Sequence, residues 1–131
     1  MNAKTSAVFV AGMLALGTTE PVTAQDVENG QDLYRQCRAC HQIGAGAKNL
    51  VGPHLNGIVG RKAGTIDGFN YSQANKDAGA KGLVWDEATL EKYLETPLTY
   101  MPGTKMAYAG LKDAADRKDV IAYLMKASAA K

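Results

Sequence analysis

Cys37-Arg38-Ala39-Cys40-His41 is the stretch on which the reading of this chain turns. Two cysteines three positions apart followed at once by histidine form C-x-x-C-H, the signature of covalent haem attachment. The spacing has a mechanical reason. Thiols three apart on a helical turn face the same side and can add to the two vinyl groups of one porphyrin. His41 then presents its imidazole to the iron on a segment that the two thioethers already tether. Competing readings lack support. A thioredoxin-type redox pair needs a βαβ setting, and no strand pattern surrounds this one. A disulfide between residues three apart closes a tiny loop and stabilises little. A zinc site needs more soft ligands than 2 Cys and 2 His provide. The motif therefore predicts one haem c, bound through Cys37 and Cys40.

The surrounding composition agrees. A chain of 131 residues fits one ordinary domain. Its 46% hydrophobic and 21% charged residues are globular rather than disordered. With 15 Lys and Arg against 13 Asp and Glu, it has no broad basic face for nucleic acid. The 14 glycines imply long, tightly turned loops whose ordering must be offset by burial.

Residues 1–24 read as a secretory signal: a positive start at Lys4, an uncharged apolar run over residues 7–17, and Val22-Thr23-Ala24 before a cleavage point after Ala24. As a helix the run rises only ~16 Å, against a hydrocarbon core of ~30 Å, so it suits a cleaved leader better than a retained anchor. Residues 25–131 then form a single exported domain with no stable membrane insertion. Covalent haem attachment of this kind takes place outside the bacterial cytoplasm, which agrees with export to the periplasm.

Within that domain, Asp26 caps a predicted helix over residues 27–37. Gly30 inside it costs roughly 1 kcal/mol against alanine, which points to close approach by another helix. Residues 44–70 form a loop far longer than an ordinary connection. Its interspersed Leu50, Val51, Leu55, Ile58 and Val59 argue that it wraps something apolar. A short helix is predicted over residues 72–78. Asp86 caps another to about Thr96, with Trp85 and Leu90 as a hydrophobic staple, and Pro97 ends it. Residues 98–111 read as turn-rich. Asp113 caps a final helix to about Ser128, with Val120, Tyr123, Leu124 and Ala127 as its apolar stripe. No strand alternation stands out. Helices this short make a poor core alone, and a large apolar ligand at the centre would complete it.

One iron position is left after His41. Its candidate ligands are His54, Met101, Met106 and Met125. His54 reads as a surface loop residue, and Met125 as a gap-filler in the last helix. Met101-Pro102-Gly103-Thr104-Lys105-Met106 is the better source, since Pro102 and Gly103 let its backbone turn sharply. Its first methionine also has a simple packing role.

From Asn29 to Ala127 the chain resembles the class I c-type cytochromes, the family of mitochondrial cytochrome c and its short bacterial periplasmic relatives. The carrying segments are the haem motif, Val51-Gly52-Pro53-His54-Leu55-Asn56-Gly57, Gly60-Arg61-Lys62-Ala63-Gly64, Gly68-Phe69-Asn70-Tyr71-Ser72-Gln73-Ala74-Asn75-Lys76, Pro102-Gly103-Thr104-Lys105-Met106-Ala107-Tyr108-Ala109-Gly110 and Asp119-Val120-Ile121-Ala122-Tyr123-Leu124. The resemblance implies an all-α fold, three to five helices wrapped with long loops around one covalently bound haem. It implies Met106 as the second axial ligand. It gives the Pro53 neighbourhood the carbonyl that accepts the free ring N–H of His41. Arg61, Tyr71, Asn75, Trp85 and Tyr93 match polar residues around the propionates and the methionine, and Thr104 could bond a propionate. Tyr34 and Tyr108 stand where the family usually has Phe. Three extra residues lie around positions 78–82. Gln36, Leu98 and Thr99 occupy positions that are often basic, while Lys48, Lys105 and Lys112 remain.

His/Met ligation fills both axial sites and raises the haem potential, which suits one-electron shuttling. The expected role is a soluble, monomeric periplasmic carrier and not an enzyme. Its electrons would come from a quinol-oxidising cytochrome complex or a periplasmic dehydrogenase. They would go to a terminal oxidase, a photosynthetic reaction centre or a reductase, by transient docking at the haem edge. With a net charge of +2, steering to an acidic partner should be weak. The rival is a ligand-binding haem protein, peroxidase-like or a gas sensor, whose methionine is displaced. A membrane-tethered redox subunit would follow if residues 1–24 were kept.

Overall fold

A computed structural model describes residues 25–129. The expected leader, residues 1–24, lies outside the described residues. Helix α1 (Val27–Leu33) starts at Asp26, whose carboxylate accepts the Glu28 and Asn29 N–H groups at 3.0 Å each. Its α-helical part is shorter than the sequence predicts. It tightens into a 3-10 turn, Tyr34–Gln36, and then into the turn that carries Cys37 to Cys40. Helix α2 (Gln73–Ala80) is capped by Ser72, which accepts from Asn75 N at 3.1 Å. Helix α3 (Glu87–Glu95) is capped by Asp86 on Thr89 N at 2.7 Å. The staple residues Trp85 and Leu90 are both buried in the core. Helix α5 (Ala114–Ala129) begins where Asp113 accepts from Ala115 N at 2.8 Å and Asp116 N at 3.2 Å.

Further features differ from the sequence expectation. A two-stranded antiparallel sheet is present, β1 (Arg61–Lys62) against β2 (Val84–Trp85), with Arg61 opposite Trp85. Strands of two residues are too short to show an alternating pattern. Pro97 does more than end α3. It opens a one-turn helix, α4 (Pro97–Tyr100), from the first helical position, where its missing N–H and fixed φ cost nothing.

The terminal helices cross at Gly30. A Cβ there would collide with the Asp119 carbonyl and reach Tyr123 Cβ at 2.9 Å. That close approach explains the glycine inside α1. Asp119 fixes the crossing by accepting Asp26 N at 2.7 Å and Asn29 Nδ2 at 2.8 Å. The Tyr34 and Tyr123 rings meet with centroids 5.3 Å apart. The α5 stripe is anchored by Val120, Leu124 and also Ile121, the most buried of them at 1% exposure. Met101 is buried at 5%, as a packing residue should be. Met125 is 43% exposed and so is not the gap-filler the sequence suggested.

The long loop is ordered by its own polar groups. Asn56 clamps Gly44, with Oδ1 accepting from its N–H at 2.7 Å and Nδ2 donating to its carbonyl at 2.8 Å. Leu55 N donates to Gln42 O at 2.8 Å, and Gly52 N to Cys40 O at 2.8 Å. The loop is thereby drawn over the C-x-x-C-H turn. No described helix is long and apolar enough to cross a membrane.

Candidate functional site

The turns and helices enclose a cavity of about 290 Å3, close to the lower end of ordinary ligand pockets. Leu33, Leu55, Ile58, Leu90, Leu94, Leu111, Val120 and Leu124 make its walls largely apolar. Its rim reaches the surface at Cys40 and at Val51, which is 79% exposed.

Each predicted haem residue has a definite place. Cys40 N and His41 N both donate to Cys37 O, at 3.0 and 2.9 Å, so one turn brings both thiols and the imidazole to the cavity. Cys37 is half-buried and Cys40 exposed. Burial, with Cys40 adding to it, pushes the Cys37 thiol up to about 11. A dithiol redox centre needs the opposite shift, towards thiolate.

The His41 ring is held on two sides. Its Nδ1 lies 2.6 Å from Pro53 O. That carbonyl can only accept, so Nδ1 carries the proton and Nε2 keeps its lone pair for a metal. Burial lowers the His41 pKa, the Pro53 bond opposes that, and the Arg61 charge lowers it further. A Cβ on Gly52 would collide with the ring, so the loop can lie against the imidazole only with glycine there.

Of the four candidate sixth ligands, Met106 lines this cavity. Its Sδ accepts from Tyr93 OH at 3.3 Å, which leaves a second lone pair on the thioether. Thr104 Oγ1 sits 3.2 Å from Tyr93 OH and accepts from Met106 N at 3.3 Å, so the ligand loop is braced where the sulfur emerges. Met101 packs in the core and Met125 faces outward. His54 is half-buried, and its backbone is what bonds: N–H to Asn49 Oδ1 at 3.0 Å, carbonyl to Arg61 Nη1 at 3.1 Å.

The polar residues predicted around the ligand also converge on the cavity. Arg61, Tyr71, Asn75, Trp85, Tyr93 and Thr104 all line it. Arg61 Nη1 donates to His54 O and Asn56 O at 3.1 Å each, leaving further guanidinium N–H groups free to meet a carboxylate. Tyr71 OH accepts from Ile66 N at 3.2 Å. Trp85 is buried against Tyr93 with ring centroids 4.8 Å apart. Asn75 Oδ1 is buried with no hydrogen-bond partner among the described residues. That oxygen needs a donor, which a hydrated group in the cavity would supply, while the Asn75 Nδ2 can donate to a carboxylate. The residues therefore fit a haem with its propionates. Tyr34 is among the neighbours of the site that sequence reasoning missed. Tyr34 OH donates to His41 O at 3.0 Å, a contact that the substitution of the usual Phe could have signalled.

An apolar cavity with a dithiol on its rim, an oriented imidazole and a braced thioether defines a c-type haem protein. Comparison with known proteins agrees. The family model described as cytochrome c matches residues 27–128. Cytochrome c2 of Rhodomicrobium vannielii is 48% identical over 117 residues, covering 89% of this chain and 91% of its own. Cytochrome c2 of Rhodoblastus acidophilus is 52% identical over 101 residues, 77% and 92% of the two chains. Among solved structures, cytochrome c2 from Rhodospirillum centenum aligns with a TM-score of 0.74 at 40% identity, covering 78% of this chain and 98% of that one. Cytochrome cH from Methylobacterium extorquens aligns at 0.70 and 42% identity, covering 77% and 98%. The chain belongs to the cytochrome c family. It has the cytochrome c fold, carries haem c through Cys37 and Cys40, and acts as a one-electron carrier.

Proposed function

We propose that His41 and Met106 are the two axial ligands, and that the protein is a soluble periplasmic shuttle released by cleavage after Ala24. The observation that carries this is the placement of Met106 in the cavity wall with its sulfur on Tyr93 OH, while Met101, Met125 and His54 lie elsewhere. When bound, the haem iron supplies a one-electron couple. The chain's part is to hold both ligands unchanged in the two oxidation states. Pro53 fixes the imidazole tautomer, and Tyr93 with Thr104 fixes the thioether. The apolar leucines keep water away and so favour the less charged, reduced state.

The chain transfers electrons and transforms no substrate. Donors of the expected kind are a quinol-oxidising cytochrome complex or a periplasmic dehydrogenase, and acceptors a terminal oxidase, a reaction centre or a reductase. They dock transiently on a monomer at the cavity rim near Lys48, Lys105, Tyr108 and Lys112. Lys105 Nζ donates to Asn70 O at 2.9 Å and Lys112 Nζ to Glu95 O at 2.7 Å, so both ammonium groups are steadied while keeping their charge. With a net charge of only +2, the association rate should fall gently with salt. Replacing Met106 by alanine tests the ligand assignment. The reduction potential should fall by on the order of 0.1 V and the iron should open to outside ligands. An unchanged potential and spectrum would refute it.

A further inference from the structure

The turn that delivers Cys37 also reaches the Met106 loop. Gln36 closes the 3-10 turn, and its Oε1 accepts from Tyr108 OH at 3.1 Å across 72 residues of chain. Both residues line the cavity, Gln36 exposed and Tyr108 half-buried, so the bond spans its mouth. The anchor is firm. Tyr34, at the start of the same turn, is 6% exposed and bonds His41 O. Hydrogen bonding on the Tyr108 side of the loop is otherwise sparse, although Gly110 packs closely against the Glu95 carbonyl. Met106 itself is braced by Thr104 and Tyr93, and Leu111 N is fixed on Leu94 O at 2.7 Å. Between them, residues 107–110 make no other hydrogen bond among the described residues. One side-chain hydrogen bond thus ties Tyr108, two positions after the proposed ligand, to the haem-attachment turn.

We propose that Tyr108 is a positioning residue for Met106: its hydroxyl, latched on Gln36, holds the ligand loop against the haem-attachment turn and resists replacement of Met106 by an outside ligand. The inference rests on Met106 being the axial ligand. Phenylalanine would fill the same space without the latch, so Tyr108→Phe isolates the hydroxyl.

The test is an optical titration of the oxidised holoprotein with imidazole. Loss of one neutral, partly solvated hydrogen bond should make loop opening easier, raising imidazole affinity about two- to fivefold in Tyr108→Phe. Gln36→Ala removes the acceptor and should give the same rise. The double variant should exceed neither, because both changes break one bond. Asp86→Ala weakens the cap of α3 without touching the cavity, and should leave the affinity where it is. Unchanged affinity in Tyr108→Phe, additive effects in the double variant, or an equal rise in Asp86→Ala would each overturn the latch. Met106→Ala separates this from failure of the ligand reading. With Met106 as ligand, its loss should raise affinity far more than any latch variant. An unchanged affinity there would overturn the ligand assignment, and the latch with it.

Discussion

Replacing Gly30 by alanine sets two opposing effects against each other. In an isolated helix the change would stabilise α1 by about 1 kcal/mol, because glycine is the costlier helix residue. In the folded protein the added Cβ would strike the Asp119 carbonyl, lie 2.6 Å from Asp119 C and 2.9 Å from Tyr123 Cβ. These are backbone and Cβ atoms and cannot swing aside, so the helices must part. Overpacking of this kind costs about 1–3 kcal/mol, occasionally more. Parting also stretches the Asp26 N and Asn29 Nδ2 bonds to Asp119, each worth about 0.5–1.5 kcal/mol. The net expectation is a loss of about 1–5 kcal/mol. At this chain length each kcal/mol lowers the thermal midpoint by about 4 °C. The assay is denaturant unfolding of the holoprotein, with the midpoint falling at unchanged slope. A midpoint equal to or above the wild type would refute the claim that packing outweighs helix propensity at this crossing.

Three further outcomes are expected. Tyr93→Phe removes the hydroxyl that draws electron density from Met106 Sδ, so the sulfur becomes a better donor to the oxidised iron; the potential should fall by on the order of 10–60 mV in a redox titration, and a rise would contradict the role given to Tyr93. Gly52→Ala places a methyl group against the His41 ring; the holoprotein should lose about 1–3 kcal/mol in denaturant unfolding, and a neutral result would mean that the loop does not rest on the imidazole. Asp86 is held below the ordinary carboxylate range by its hydrogen bonds from Thr89. Its contribution is therefore present above about pH 4 and is lost as pH falls through the depressed value. Asp86→Ala should unfold more easily than wild type at pH 6, with the gap closing in acid; a gap that persists at pH 2 would show that the cap does not act through its charge.

Much of the site was legible because its chemistry is local. Two thiols and an imidazole within five residues must serve one porphyrin, and no folding context is needed to see it. Helix starts were legible for a similar reason: Asp26, Asp86 and Asp113 accept N–H groups from the next turn, a short-range bond written in adjacent residues. The features that were not legible act through space. The Arg61–Trp85 strand pairing joins two-residue segments that carry no periodic signal. Met125 lies one helical turn beyond the buried Ile121 yet is 43% exposed, so position on α5 alone does not decide burial. Tyr34 on His41 O and Tyr108 on Gln36 depend on where turns meet, which side-chain type alone does not encode. Choosing between Met101 and Met106 needed either the resemblance or the cavity; burial separates them, with Met101 in the core and Met106 on the wall.

An optical spectrum of the reduced, mature holoprotein at neutral pH, taken before and after addition of carbon monoxide, bears most directly on the proposal that both iron faces are filled by this chain. With His41 and Met106 in place, the gas should leave the spectrum essentially unaltered over minutes. An immediate, large change would mean an open or labile face and would replace the electron shuttle by a ligand-binding haem protein.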